Sequence, residues 1–167
     1  DAFIAYGDYK PPLSIYLTVP FIAIFGLNEL AVRLPSVLAG TSMVFLTYLI
    51  VRELGVWAGK KSRSRSDETA IVAAAIMAVS PWSVMLSRGG FEANVGSGLI
   101  MLGMYLLILA RRETRYLIWS VVPFMLSMYT FNSARYVAPI LLLGGVFLAG
   151  LNLRKNIKRL IAGGLLF

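Results

Sequence analysis

Long apolar runs alternate with short basic loops along this chain, and the alternation limits the folds open to it. Charged residues make up only 14% of the 167 residues, against roughly a quarter in a soluble domain. A helix needs roughly 20 residues to cross a bilayer. Apolar runs near that length occupy 34–54, 70–87, 95–110, 116–131 and 136–153, and a further run begins near Leu160. The sequence therefore predicts an all-α, polytopic integral membrane helical bundle.

The run from Leu13 to Phe25 differs from the others. Pro20 interrupts it, and as a helix it would rise only about 20 Å, less than the hydrocarbon core requires. We therefore expect residues 1–29 to be part of an external loop with an interfacial helix. Residues 30–167 are expected to form a transmembrane bundle of about six helices, the last of them truncated. Because the chain starts without methionine and stops within an apolar run, we expect a fragment of a longer protein.

The 16 lysines and arginines are unequally distributed over the loops. Twelve lie within 52–65, 111–115 and 154–159, whereas the alternate loops hold only Lys10, Arg33, Arg88 and Arg135. Since an excess of Lys and Arg marks cytoplasmic loops, the loops with four cations are predicted to face outside. The net charge of +8 then reflects topology, and nucleic acid is not expected as a partner.

Cysteine and histidine are absent from the sequence. The absence excludes disulfides, thiolate metal sites, an imidazole base and histidine zinc ligands within this chain.

Gly96 and Gly98 do not form a dinucleotide fingerprint, because no strand precedes them and the third glycine is missing. They predict close helix packing, which small residues favour in membranes.

A lysine restrained by prolines is the first of three polar features in the predicted external segments. Gly7 to Leu13 reads GDYKPPL, and Pro11 and Pro12 bias Lys10 toward an extended backbone. A lysine held in this way can bind a phosphate. It can equally extend to lipid headgroups ahead of an interfacial helix, and the spacing leaves both interpretations open.

The other two features lie at predicted helix ends. In SPWSVMLSRGGFEAN, residues 80–94, Arg88 and Glu92 are four apart and would pair if the helix continued through the glycines. In YTFNSARYVAP, residues 129–139, Arg135 lies among aromatic residues that an interfacial belt would also explain.

Two further local patterns predict structure more than function. Glu29 and Arg33 are four residues apart at the start of a span and are expected to pair. Ser66, followed by two acidic residues, is typical of a helix N-terminus.

Taken in order, GDYKPPL, FGLNELAVRLPSVLAG, a basic loop, SPW…SR…FEAN and MYTFNSARYVAP resemble the phospholipid carrier-dependent glycosyltransferases. These enzymes belong to the membrane superfamily of protein O-mannosyltransferases and lipid A aminoarabinose transferases. The resemblance covers Gly7 to about Pro139. It implies transfer of a sugar from a polyprenyl-phosphate carrier to a protein, lipid or glycan acceptor at the external face of the cell membrane. The implied partners are this donor, the acceptor and membrane lipids.

The resemblance also implies roles for individual residues. Lys10 would contact the carrier phosphate, Arg88 would be a second phosphate or sugar contact, and Tyr9, Glu92 and Arg135 could line the site. The positive charges would stabilise the leaving phosphate.

The catalytic carboxylate of the family is expected upstream of Asp1, and Asp8 is the candidate within this chain. Some relatives bind a metal through a carboxylate just before the lysine, together with a histidine. Tyr9 occupies that position here, so we expect no metal. No cofactor is expected either, because the lipid-linked sugar is a substrate.

A membrane transporter or lipid-linked sugar flippase is the main alternative, since it would also collect charges near one face of a bundle. Transporters place polar residues and broken helices at mid-membrane. Here the charges lie at the ends of the runs, and Pro123, the clear break within a run, has no charge beside it. This distribution favours the enzyme over the transporter. A non-catalytic scaffold would need no lysine restrained by prolines.

Overall fold

The computed structural model describes residues 4–5, 8–9, 12–57 and 63–148. Helices dominate these residues, so the predicted all-α class is confirmed. A pair of two-residue antiparallel strands, with Ile4 opposite Tyr9, was not predicted because strands so short leave no periodic pattern. The elements are β1 Ile4–Ala5, β2 Asp8–Tyr9, α1 Leu13–Phe25, α2 Glu29–Trp57, α3 Arg63–Val79, α4 Pro81–Gly89, α5 Glu92–Leu109, α6 Arg115–Met128 and α7 Ala134–Leu148.

Helices α2 and α5 are each long and apolar enough to cross a membrane. Helices α3 and α4 would together form a third span, bent by 52°. Helices α6 and α7 are apolar but shorter, with 14 and 15 residues. These helices indicate an integral membrane protein. The predicted sixth run, from Leu160, lies outside the described residues.

The predicted span 70–87 is two helices and not one. Ser80 has an extended backbone, with φ −62° and ψ 123°, and Pro81 opens α4. A residue before proline is driven out of the helical conformation, and proline suits the first helical position, so the break follows from the Ser-Pro pair.

Helix α1 coincides with the predicted run, and Pro20 lies inside it without ending it. No residue of α1 is buried, although the helix packs against α2. Apolar side chains such as Val19, Ile24 and Phe25 are exposed, as a helix in contact with lipid requires. Its interfacial placement stays a prediction.

The helix start predicted at Ser66 is wrong. Helix α3 already includes Arg63, and Ser66 is buried, with 1% of its surface exposed. A Cβ added to Gly55 of α2 would lie 2.6 Å from the Ser66 hydroxyl. Ser66 is therefore a small residue in the α2–α3 contact, and packing against Gly55 outweighs its capping preference.

Small residues bring the central helices together. Helix α2 packs against α1, α3, α4 and α5, and α5 packs in turn against α6 and α7. A Cβ added to Gly98 would lie 3.5 Å from the Cβ of Ala39, and one added to Gly96 would lie 3.4 Å from the Cβ of Phe131. The predicted role of the two glycines in close packing is confirmed.

Charged residues connect the helices at the end that the sequence predicts to be cytoplasmic. Glu53 of α2 binds Arg112 at 2.6 Å, and the guanidinium of Arg111 lies 4.5 Å from the ring centre of Trp57. Arg52 approaches Asp67 of α3 at 2.9 Å. The α2–α3 and α5–α6 junctions therefore lie at one end of the bundle, together with most of the described arginines.

Candidate functional site

The predicted external segments meet at the opposite end of the bundle. The backbone N–H of Leu13 donates to the carbonyl of Tyr129 at 3.2 Å, which joins the start of α1 to the α6–α7 turn. The Ser14 hydroxyl donates to Glu92 Oε2 at 3.3 Å, which joins α1 to the start of α5 across 78 residues of sequence. Segments recognised separately in the sequence thus share one site.

A cleft of about 290 Å³ opens between α1, α2 and the α4–α5 turn, and we call it the α1–α5 cleft. Hydroxyl and carboxylate groups of Ser14, Thr18 and Glu92 lie beside the aromatic ring of Phe91 and several aliphatic side chains. Such a mixture of hydrogen-bonding groups and apolar surface is typical of small-molecule sites. The lining residues are Ser14, Ile15, Thr18, Val32, Pro35, Ser36, Gly90, Phe91, Glu92 and Val95.

Glu92 occupies the first position of α5, after the extended residue Phe91. The positive end of the helix dipole attracts a carboxylate, so this position at the edge of the cleft suits an acidic residue. Its hydrogen bond from Ser14 fixes the carboxylate relative to α1.

Arg88 lies in the last turn of α4 and is exposed. The pair considered for Arg88 and Glu92 requires a continuous helix, but α4 ends at Gly89 and Gly90 has φ +69°. Only glycine adopts this left-handed conformation readily, so the turn separates the two side chains. Within the described residues no ion pair joins them.

The expected pair of Arg33 with Glu29 is confirmed. Both side chains lie beside Gly90, in a second depression of about 400 Å³ at the same end. Because Glu29 compensates Arg33, Arg33 is less available to an anion than Arg88, for which the described part of the chain supplies no carboxylate.

Arg135 is the second residue of α7 and lies at the same end of the bundle, but it does not line the α1–α5 cleft. It is exposed, and its Nε lies 3.5 Å from the carbonyl of Met128, at the limit of a hydrogen bond. The structure therefore brings Glu92 into the cleft but not Arg88 or Arg135. Arg88 lies in the last turn of α4, where it lines a separate groove with residues of α2 and α3.

Lys10 and Asp1 lie outside the described residues. Asp8 and Tyr9 form β2, but their side chains are not among those described. The roles predicted for these four residues therefore stay predictions.

The sequence motifs did not single out Ser14 or Ser36, and Asn94 was noted only as the end of a motif. Asn94 has no exposed surface, and its side-chain amide donates to the Ser36 carbonyl at 2.7 Å. A signal was available for Asn94, because an amide within an apolar helix needs internal partners. Ser14 and Ser36 give no comparable signal, because serine occurs at many other positions of this apolar chain.

The chain matches a known protein family along almost its whole length. The profile of the family described as "Dolichyl-phosphate-mannose-protein mannosyltransferase" matches residues 9–167. No solved structure gives a match.

Two curated proteins of Bacillus subtilis (strain 168) are similar to the chain. One, described as "Putative mannosyltransferase YycA", is 31% identical over 160 residues, which cover 91% of this chain and 21% of the relative. The other, "Putative mannosyltransferase YkcB", is 29% identical over 157 residues, which cover 92% of this chain and 20% of the relative. The chain spans about a fifth of the length of these relatives. From the match over residues 9–167, this chain belongs to the dolichyl-phosphate-mannose-protein mannosyltransferase family of membrane glycosyltransferases.

Proposed function

We propose that the protein containing this chain transfers a sugar from a polyprenyl-phosphate carrier to an acceptor at the external face of the cell membrane. Family membership supports a glycosyltransferase. The hydrogen bond from Ser14 to Glu92 is the structural observation that supports a donor site here. It holds the segment that follows Lys10 against a cleft with a carboxylate and hydroxyl groups.

The size and lining of the α1–α5 cleft fit one sugar unit. Its volume of about 290 Å³ lies just below the roughly 300–1,000 Å³ typical of ligand pockets, as a site for a single small unit would. Glu92 and the hydroxyls of Ser14 and Thr18 can exchange hydrogen bonds with sugar hydroxyls, and Phe91 offers an apolar ring beside them.

Positive charge near the cleft supports a phosphate site. Two residues separate Lys10 from Leu13, so covalent geometry keeps their Cα atoms within about 11 Å of each other. Lys10 and Arg88 would together hold the carrier phosphate and stabilise the charge that develops as the sugar leaves it. The catalytic carboxylate is Asp8 or a residue upstream of Asp1, and the reaction uses no metal or other cofactor from this chain.

The distribution of cations supports an external site. The cleft lies at the end of the bundle that holds Arg33 and Arg88, whereas Arg52, Arg111 and Arg112 lie at the other end. The loops at the first end hold four cations and those at the second end hold twelve, which supports an external position for the first end.

Sugar transfer by membranes containing the full-length protein tests the proposal, with radiolabelled polyprenyl-phosphate mannose as donor. We expect Lys10→Ala to lower transfer by on the order of a hundredfold, because it removes a preorganised charge at the phosphate. The matched control is Lys158→Ala, a lysine from the predicted cytoplasmic side, which should leave transfer unchanged.

Two results would contradict the proposal in different ways. Equal transfer by the Lys10→Ala variant and the original protein would remove Lys10 from the site. A folded, inserted protein that moves the labelled lipid across the bilayer without transferring its sugar would favour the flippase.

A further inference from the structure

A buried amide connects three helices beneath the α4–α5 turn. Asn94 of α5 has no exposed surface, and its Nδ2 donates to the Ser36 carbonyl at 2.7 Å and lies 3.1 Å from the Ser36 hydroxyl. The same nitrogen lies 3.2 Å from the hydroxyl of Ser87 in α4. One side chain therefore binds α2 and α4 to the start of α5.

Ser36 extends this contact to both sides of the turn. Its hydroxyl donates to the carbonyl of Leu86 at 3.1 Å and lies 3.5 Å from the carbonyl of Phe91. Leu86 precedes Arg88 by two residues, and Phe91 directly precedes Glu92. The turn that carries both candidate site residues is thus bonded to a single position of α2.

The surrounding backbone leaves room for this contact. A Cβ added to Gly40, one helical turn after Ser36, would lie 1.9 Å from the Ser87 hydroxyl and 3.3 Å from Asn94 Nδ2. Any larger residue at position 40 would push α4 away from α2. Within a bilayer no water replaces a lost hydrogen-bond partner. The contacts of Asn94 with Ser36 and Ser87 therefore favour the α4–α5 turn in its present position against α2.

We propose that Asn94 is a positioning residue, which acts through Ser36 and Ser87 to hold the α4–α5 turn against α2 and so fixes Arg88 for the donor phosphate. This inference rests on the proposed function, because it concerns binding of the polyprenyl-phosphate donor. Asn94 itself does not line the α1–α5 cleft. In this proposal its effect on the donor phosphate is exerted through Arg88, because Asn94 bonds Ser87 in the last turns of the same helix.

A general stabilising role for Asn94 makes a different prediction. If Asn94 only stabilised the fold, its replacement would have the same effect on donor binding whether or not Arg88 was present. If Asn94 acts through Arg88, its replacement should have little further effect once Arg88 is gone. A double-mutant cycle separates these possibilities.

The experiment uses the purified full-length protein in lipid nanodiscs and measures kcat and KM for polyprenyl-phosphate mannose. We expect Asn94→Ala to raise the KM for the donor by on the order of tenfold, with a smaller change in kcat, because a misplaced binding group weakens substrate binding. In the Arg88→Ala background, Asn94→Ala should raise the KM less than twofold. Ser127→Ala is the matched control, since Ser127 is equally buried but its hydroxyl donates within its own helix, to the Phe124 carbonyl of α6.

Three results would overturn the inference: an unchanged KM in Asn94→Ala, an equal rise in KM in both backgrounds, or an Arg88→Ala variant with the original KM. If Asn94→Ala does not yield folded protein, Ser87→Ala replaces it in the cycle, because it removes one contact and leaves the Asn94–Ser36 bond. A smaller rise in KM that disappears with Arg88→Ala would then support the inference, and a rise that persists would overturn it. Absence of transfer by the unaltered protein would instead contradict the proposed function.

Discussion

Gly40 gives the Ser87 hydroxyl the space in which it approaches Asn94. The distance from a Cβ at position 40 to the Cβ of Ser87 is 3.0 Å, so rotation of the serine hydroxyl alone would not relieve the contact. The helix α2 must therefore keep a glycine here although alanine is the better helix former.

Replacement of this glycine should destabilise the protein. We expect Gly40→Ala to lower the free energy of unfolding by about 1–3 kcal/mol, the usual cost of overpacking a tight contact. The measurement is the thermal unfolding midpoint of the purified protein in detergent. Gly144→Ala is the control, because a Cβ there would meet nothing within 4 Å, and its midpoint should be unchanged or slightly higher. Equal midpoints for both variants would contradict the packing described around Ser87.

At the residue scale, the sequence indicates which residues are unusual but not what they bind. Arg88 and Glu92 stand out as charges at the ends of apolar runs. The partner of Glu92 could not be predicted, because Ser14 is 78 residues away and is one of many serines. The interactions of Asn94 depend on the approach of α2 and α4, which no local pattern records.

Element boundaries follow from the sequence where local chemistry determines them. Helix α1 has the bounds of its apolar run, Leu13 to Phe25. The break at Ser80 was missed because the apolar pattern continues across it, although the following proline is a sufficient local cause. The start of α3 was misplaced because Ser66 serves a contact with Gly55 that exists only in the folded bundle.

The α2–α5 contact can be tested directly with a disulfide. A Cβ at Gly98 would lie 3.5 Å from the Cβ of Ala39, within the range of about 3.5–4.5 Å found in disulfides. We expect Ala39→Cys/Gly98→Cys to form a disulfide on mild oxidation of membranes, detected by mass spectrometry of the linked peptides. This chain contributes no cysteine of its own to confuse the result.

The matched control is Ala39→Cys/Gly144→Cys, since a Cβ at Gly144 has no neighbour within 4 Å. It should remain reduced under the same conditions. A disulfide in the control pair, or none between residues 39 and 98, would contradict the packing of α2 on α5.

At the scale of the whole molecule, the charged residues form two groups at opposite ends of the helical bundle. Ion pairs and a cation–π contact join the helices at the predicted cytoplasmic end, as between Glu53 and Arg112. At the other end, Glu92 lines a cleft between elements that are distant in sequence, and Arg88 lies in the last turn of the neighbouring helix α4. The separation of the two sets of loops that their charges predict is thus present in the structure. The cleft could not be predicted from the sequence, because its walls come from elements that only folding brings together.

The most direct test of the proposed donor site is the rate of sugar transfer by a Glu92→Gln variant of the full-length protein. The substitution retains size but replaces a charged acceptor of hydrogen bonds from the sugar hydroxyls with a neutral amide, so we expect transfer from polyprenyl-phosphate mannose to fall at least about tenfold. Glu113→Gln is the control, because Glu113 pairs with Arg115 at the opposite end of the bundle. A normal rate in Glu113→Gln with a strongly reduced rate in Glu92→Gln is the predicted result. A Glu92→Gln protein that transfers sugar at the original rate would contradict the assignment of the α1–α5 cleft as the donor site.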